Sequence, residues 1–429
     1  MFQYLEIIVL LFEMNKKVIV IGGGIIGLCA AYYLQKEGQE VTVIDKSDLS
    51  NGASFVNAGY ITPSHIIPLA APGMIFKSIK WMFNSSSPFY IKPRFDIDFF
   101  KWSLYFHRVS THEMVEKAIP VIKDINLLSR DLFESIKVSG DLGDFQLERK
   151  GLLMLYKTDV AAEEEMIVAE KAKQLGLEVE FLNKQQLSAI EPNVNIDAKG
   201  AIHYECDGHM TPNEFMPKMI AFLRNKGVVI KTNEEVLDIS ISNDKIQEIV
   251  TSKGSYKADE VVLAAGSWSG QLSKKLNIKL PIQAGKGYRI NVGRPTGITM
   301  PAILLEAKVA VTPMKGFTRF AGTMEFSGIN ATIRKERVQA IANATNNYYP
   351  EIEIHATEVD KAKSGMRPVS PDGLPYIGRC PEIQNLTFAT GHAMMGWSLG
   401  PATGKLVAEI IDGKKTSLDI SPFAPERRF

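Results

Sequence analysis

The stretch that most restricts how this chain can fold runs from Val18 to Asp45. Val18 to Ile21 is an unbroken apolar, β-branched run, the pattern of a strand buried on both faces. Gly22, Gly24 and Gly27 follow as G-x-G-x-x-G, with Gly23, Ile25 and Ile26 between them. The first glycine permits a tight turn, the second lets backbone approach a pyrophosphate, and the third lets the helix pack closely on the strand. Helical spacing then runs from Ile25 to Glu37, and Gly38 ends it. A second buried strand, Val41 to Ile44, stops at Asp45, about 20 residues beyond the glycines, where an acid meets a ribose hydroxyl. Strand, glycine array, helix, strand and acid in this order read as a dinucleotide-binding unit.

At 429 residues the chain is too long for one small core, so two domains are expected. With 45% hydrophobic and 23% charged residues it reads as globular, and a net charge of +1 argues against a nucleic-acid binder with a strong basic field. Cys29, Cys206 and Cys380 lie far apart and give neither a disulfide framework nor a metal-ligand spacing. Cys29 falls in the first helix, where a small apolar role is expected. The histidines show no ligand spacing and no metal is expected. Ile7 to Phe12 is apolar, flanked by Glu6 and Glu13, and far too short to span a bilayer. Residues 1–13 are read as an upstream extension with no role in the fold, a peripheral anchor being the alternative. The expected location is the cytoplasm, with peripheral contact to the inner face of the cell membrane left open.

Further along, Ser50 to Ile61 is rich in small residues and side-chain donors, which suits backbone that touches a ligand. Residues 62–95 hold many prolines, with one amphipathic stretch at 74–83. Residues 96–137 carry helical spacing. Asn213 is expected to cap a helix that runs to Asn225. Glu260 to Leu263 is a buried strand running into Ala264-Ala-Gly, which returns the chain to the parallel sheet. Ile303 to Thr312 reads as one strand, Ile333 to Tyr349 as a helix, and Gly391 to Ser398 as the opening of the last helix. No repeat is seen.

The glycine array, Ala264-Ala-Gly-Ser-Trp268, Gly365-Met-Arg367-Pro with Leu374-Pro-Tyr-Ile-Gly378, and Gly391-His392 leading to Gly396-Trp397 occur in the order seen in the D-amino acid oxidase superfamily of flavoproteins. The chain resembles that superfamily from Met14 to its C-terminus. Ser54-Phe-Val-Asn-Ala-Gly59, Ala70-Ala-Pro-Gly73, Lys80-Trp81-Met-Phe83 and Lys286-Gly-Tyr288 are similar to segments of bacterial D-amino acid dehydrogenases. The resemblance implies an α/β fold: a Rossmann-like FAD-binding domain with an inserted α+β substrate domain built on a mostly antiparallel sheet. The expected boundaries are 14–85, 206–278 and 365–429 for the FAD-binding domain, and 86–205 and 279–364 for the substrate domain.

It implies bound FAD, its pyrophosphate held by Gly22, Gly23, Gly24, Ile25, Ile26 and Gly27 at a helix N-terminus, which favours anions. Asp45 would take the ribose with Lys46 beside it, and Val236 the adenine. Ser54, Asn57, Ala58 and Gly59, with Ala265, Gly266 and Trp268, would line the middle. Gly391, Gly396, Trp397 and Ser398 would meet the flavin end. Arg367, which alone would read as a surface arginine beside a proline turn, would grip a substrate carboxylate. The Met394 carbonyl would accept from the amine, and Tyr288 would donate a second bond to the carboxylate. Lys308 and His209 are further candidates, although Lys308-Val-Ala310 departs from the aromatic pair that glycine oxidases carry there.

The implied reaction is oxidative deamination of a D-amino acid by hydride transfer, with electrons passed to a quinone, another carrier or oxygen. No general base is needed in such a mechanism. The alternatives are oxidation of glycine, sarcosine, D-proline or cis-4-hydroxy-D-proline, and a flavin-binding protein without enzymatic activity. The partners expected are a small amino acid and an electron acceptor, with no nucleic acid; the oligomeric state is left open.

Overall fold

The computed structural model describes residues 15–72 and 88–429. The upstream segment, the amphipathic stretch at 74–83, Gly73 and residues 80–83 lie outside them. Five strands run parallel in the order Val229–Lys231, Glu40–Ile44, Lys17–Ile21, Glu260–Leu263, Leu386–Thr390, and Tyr376–Arg379 adds an antiparallel edge. Both faces are covered, which is why these strands read as continuous apolar runs. Val18 and Val20 point into a core shared with helices Ile25–Lys36 and Gly400–Ile411, whereas Ile19 and Ile21 point the other way, toward Ile239, Ile246 and Ile249. Those helices pack closely: a Cβ on Gly404 would stand 2.5 Å from the Cys29 carbonyl carbon. The Cys29 thiol is fully buried, and burial pushes its pKa up, so it acts as a small apolar group.

Strand order reverses at Lys17–Ile21, whose neighbours are Glu40–Ile44 on one side and Glu260–Leu263 on the other. A crevice outside the C-terminal ends of those strands is where doubly wound sheets bind ligands.

The second sheet has nine strands, with Lys363–Val369, Gln283–Val292, Phe317–Phe326 and Val309–Met314 adjacent in that order. Pairing is antiparallel except where Ala302–Leu304 meets Leu152–Tyr156 and Phe89–Ile91 meets Phe317–Phe326. Helix Lys335–Tyr348 covers one face through Val338 and Ile341, packed with Tyr288, Ile290 and Val292. The two sheets are joined through residues 370–375. There Asp372 receives two bonds from Arg427, from Nε at 2.7 Å and Nη2 at 3.0 Å, while the guanidinium lies 4.0 Å from the Tyr376 ring centre.

Several local expectations are corrected. Ile303 to Thr312 is a hairpin, because Lys308 adopts φ +52 and turns the chain between Ala302–Leu304 and Val309–Met314. The helical spacing of residues 96–137 is borne out, by two helices, Ile97–Val109 and His112–Ser139, and Thr111 Oγ1 caps the second by accepting from Met114 N at 3.3 Å. The helix Pro212–Asn225 starts from Thr211, with proline in its first turn, so Asn213 is not its cap. Residues 391–398 form a loop, and the last helix begins at Gly400. No helix among the described residues is long and apolar enough to cross a membrane.

Candidate active site

One cavity of about 1240 Å³ starts in the crevice of the parallel sheet and continues onto the second sheet. Single small-molecule pockets span roughly 300–1,000 Å³, so it has room for a dinucleotide and a small co-substrate. At its first end Gly22 adopts φ +113, and a Cβ there would stand 2.7 Å from the Ala264 carbonyl carbon. A Cβ on Gly27 would overlap Gly22 O, whereas beside Gly24 only Ser54 Oγ comes within 4 Å, at 3.4 Å. Two glycines therefore let backbone meet backbone, and the middle one faces open cavity. Ser54 Oγ also accepts from Ile25 N at 2.9 Å, so a loop side chain satisfies one of the helix's first N–H groups.

Asp45 Oδ2 accepts from Gly23 N at 2.7 Å, and Oδ1 from Ser47 N at 2.7 Å and Ser47 Oγ at 2.6 Å, which leaves a lone pair on Oδ2 for a ribose hydroxyl. Lys46 Nζ lies 3.9 Å from the Trp268 ring centre, and burial lowers its pKa. Val236, Asn57, Ala58, Ala265 and Gly266 line the same cavity. Gly27, Gly59 and Gly391 do not. A Cβ on Gly59 would stand 3.0 Å from Pro212 Cδ, and one on Gly391 2.6 Å from Tyr376 Cδ2, so both serve packing. Free N–H groups at a helix start, an acid at the second strand and an elongated cavity between them suit an extended FAD.

At the far end Gly396, Trp397 and Ser398 line the cavity with His392 and Met394. Ser398 Oγ donates to Asn126 Oδ1 at 2.7 Å and accepts from Thr62 N at 3.1 Å. Burial pushes His392 down to about 3, leaving a neutral ring whose Nε2 lies 2.9 Å from Thr403 Oγ1. Met394 is 51% exposed, and its carbonyl accepts no backbone hydrogen bond among the described residues. Ala393 N donates to Pro368 O at 2.8 Å, and Val369 bridges to His392, so this loop is stitched to the strand that carries Arg367.

Arg367 reaches across the sheet because its neighbouring strand lacks side chains there. A Cβ on Gly287 would stand 2.5 Å from Nη2 and 2.6 Å from Cζ. The guanidinium lies over that glycine, and Nη1 donates to Thr323 O at 3.0 Å. No carboxylate pairs with it among the described residues, and burial pushes its pKa down to about 10. A half-buried, unneutralised guanidinium facing a cavity is an anion site. Its acceptor is itself unusual: Thr323 is β-branched yet has φ +67, at a register shift between this strand and Gln283–Val292. Such strain, roughly 1–3 kcal/mol, concentrates at functional sites.

Two expected substrate contacts are corrected. Tyr288 alternates to the helix-covered face, opposite to Arg367, because Gly285 rather than Tyr288 pairs with Arg367. Its hydroxyl donates to Glu325 Oε2 at 2.8 Å, within a buried cluster that includes Lys286 and Arg337, and so is not free for a carboxylate. His209 lies in a small sheet formed by Tyr60–Ile61, Gly208–Met210 and Leu147–Glu148, away from the cavity. Burial holds it down to about 4, and neither ring nitrogen has a hydrogen-bond partner among the described residues.

Lys308 does line the cavity, on its exposed side. Sequence reading passed over His65, which faces the cavity from the proline-rich segment and is held down to about 4 by burial and then by Lys308. It also passed over Arg319, fully buried, whose guanidinium donates to the carbonyls of Phe55 and Asn57 and to Asn213 Oδ1. Burial lowers that guanidinium to about 9, and it fixes the loop that carries Ser54 and Asn57. Outside the cavity, ligand atoms of Glu180, His203 and Glu205 lie within 4.8 Å of one another.

A doubly wound sheet whose crevice opens onto an arginine without an acidic partner among the described residues suits a dinucleotide-dependent enzyme. The chain belongs to the FAD dependent oxidoreductase (DAO) family, whose model matches residues 17–410. It is 30% identical over 399 residues to a D-amino acid dehydrogenase of Helicobacter pylori, covering 92% of this chain and 95% of that one. A D-amino acid dehydrogenase of Bradyrhizobium diazoefficiens is 31% identical over 428 residues, covering 96% and 98%. Among solved structures, glycine oxidase from Geobacillus kaustophilus superimposes with a TM-score of 0.76 at 22% identity, covering 97% of this chain and 100% of that one. L-proline dehydrogenase from P. horikoshii gives 0.75 at 20%, covering 96% and 97%. The cofactor is therefore FAD, and the chain is an FAD-dependent oxidoreductase.

Proposed function

We propose that this enzyme oxidises a D-amino acid to a 2-oxo acid and ammonia, with the electrons leaving to a quinone or a similar carrier. The observation that carries this reading is Arg367, a guanidinium without an acidic partner among the described residues, held over Gly287 in the cavity wall. Relatives named D-amino acid dehydrogenase, matched over nearly the whole chain, support the choice of substrate class.

In the reaction the α-C–H bond breaks with its electron pair, and a C=N bond forms as the amine loses a proton. Water then adds to the imine and releases ammonia. FAD, when bound, supplies the two-electron acceptor for that C–H bond. The protein's part is orientation. Arg367 takes the carboxylate in its planar fork, and the Met394 carbonyl accepts from the amine, which together fix the α-hydrogen. Because that carbonyl's loop is bonded to the arginine's own strand, the two anchors move as one piece. No side chain is asked to take the α-hydrogen as a proton, and the neutral, Thr403-bonded His392 fits a packing role.

Anaerobic mixing of the flavoprotein with D- and L-alanine, glycine, sarcosine and D-proline tests the reading. D-alanine is expected to bleach the flavin fastest, and colour is expected to return slowly in air and quickly with a quinone. Faster bleaching by glycine, sarcosine or D-proline would transfer the assignment to those substrates, and rapid return in air would make the enzyme an oxidase.

A further inference from the structure

Beyond Arg367 the cavity continues toward a compartment built from three separate elements. The turn at Lys308 lies beside Gly322 in the sheet, since Val309 pairs with that glycine, and Lys308 lines the cavity. Gly322 precedes Thr323, whose carbonyl accepts from Arg367, so the turn lies about one strand spacing, roughly 5 Å, from the backbone that holds the arginine. Glu165 enters from the helix Asp159–Gln174 and His65 from the proline-rich loop. Between them the walls are apolar, with Met154, Ile303 and Leu305.

Lys308 and Glu165 attract one another without a close ion pair among the described residues, and Glu164 and Glu306 line the same cavity. Lys308 has no hydrogen bond or ion pair among the described residues, yet it lies near enough to lower His65 and to oppose the rise of Glu165. Glu165 Oε1 accepts from Tyr204 Oη at 2.8 Å, which leaves Oε2 without a partner among the described residues. A free donor and a free acceptor thus face one cavity across an apolar channel.

We propose that this compartment is a side-chain subsite for a substrate ending in a neutral carboxamide, as in D-glutamine, with Lys308 donating to its carbonyl and Glu165 accepting from its amide N–H. The inference rests on the amino-acid reading above. A side-chain carboxylate would pair with Lys308 but meet Glu165, and an ammonium would pair with Glu165 but meet Lys308. A neutral group that both donates and accepts satisfies both, and a carboxamide does so through two separate atoms, its aliphatic stem along Met154 and Leu305.

The test compares anaerobic flavin reduction by D-glutamine, D-glutamate, D-lysine, D-norleucine and D-alanine. Sites built to hydrogen-bond a polar group reject analogues lacking it, so kcat/KM for D-glutamine should exceed that for D-norleucine and for D-glutamate by at least about tenfold. In Lys308→Met and Glu165→Leu, checked for flavin content, the ratio of D-glutamine to D-norleucine should fall toward one. Reduction by D-alanine with no preference for D-glutamine, or a preference unmoved by both substitutions, would overturn the subsite and leave the D-amino acid reading standing. If none of the five reduces the flavin, both fall.

Discussion

Gly287→Ala probes the substrate grip without touching the arginine. The added Cβ would stand 2.5 Å from Nη2 and 2.6 Å from Cζ of Arg367, against ordinary carbon contacts of about 3.5–4.0 Å. The guanidinium must therefore move by about 1 Å, which breaks its bond to Thr323 O and misaims its fork. Misplacement of a positioning group by about 1 Å costs on the order of 100-fold, equivalent to ~2.7 kcal/mol of barrier. Gly287 is outside the left-handed region, so its backbone accepts alanine, and a gain of roughly 0.4–1 kcal/mol through the unfolded chain offsets part of the lost bond to Thr323 O. The melting temperature separates a misaimed grip from unfolding. The assay is kcat/KM from flavin reduction, with flavin content and the melting temperature measured on the same preparation. Retained flavin, a Tm near the parent's and kcat/KM reduced about 100-fold are expected. Values of kcat and KM within twofold of the parent would refute the pose.

Arg367→Ala should keep its flavin and lose at least about 100-fold in kcat/KM, because its guanidinium is the proposed anion anchor. Gly27→Ala should fail to hold FAD, since its Cβ would overlap Gly22 O in the helix–strand contact; flavin content after purification reports this. Trp268→Ala removes the ring beneath Lys46 and should weaken FAD by about 1 kcal/mol, roughly fivefold in Kd by titration of the apoprotein. Asp207 is fully buried, accepts from Ser64 N and Oγ, and is pushed up to about 7 by burial. Its folded state therefore binds the proton more tightly than the unfolded chain, and its contribution to stability is lost as pH rises from about 4 to about 7. Asp207→Asn should gain on the parent across that window, by at most about 4 kcal/mol, and level off above it; a difference in Tm independent of pH would contradict the assignment.

The nucleotide end was legible because its demands are local. Buried parallel strands read as apolar runs, and Gly22 and Gly27 are positions where a Cβ has nowhere to go. The substrate end depends on pairings that only the assembled sheet provides. Tyr288 reads as a donor until its register opposite Ser364 places it on the helix-covered face. The hairpin at Lys308 was hidden because its turn contains neither glycine nor proline and rests on a lysine in the left-handed region. Thr323 gave no signal for the same reason: a β-branched residue is the last type expected at positive φ. His65, a lone histidine among prolines, carried no periodicity. Thr211-Pro212 did carry a signal, since proline in a first helical turn points to the preceding threonine as the cap, a rule that would have displaced Asn213. Asn213 instead accepts from Arg319.

The clasp between Asp372 and Arg427 has a reach that its distance from the cavity conceals. The proposed carboxylate grip and the nucleotide crevice belong to different sheets, and the short crossover between them, whose Gly373 lines the cavity, is braced by Arg427. On the proposed pose, loosening that brace would let the two sheets shift against each other. Turnover should then respond to substitutions at Asp372 and Arg427, neither of which lines the cavity.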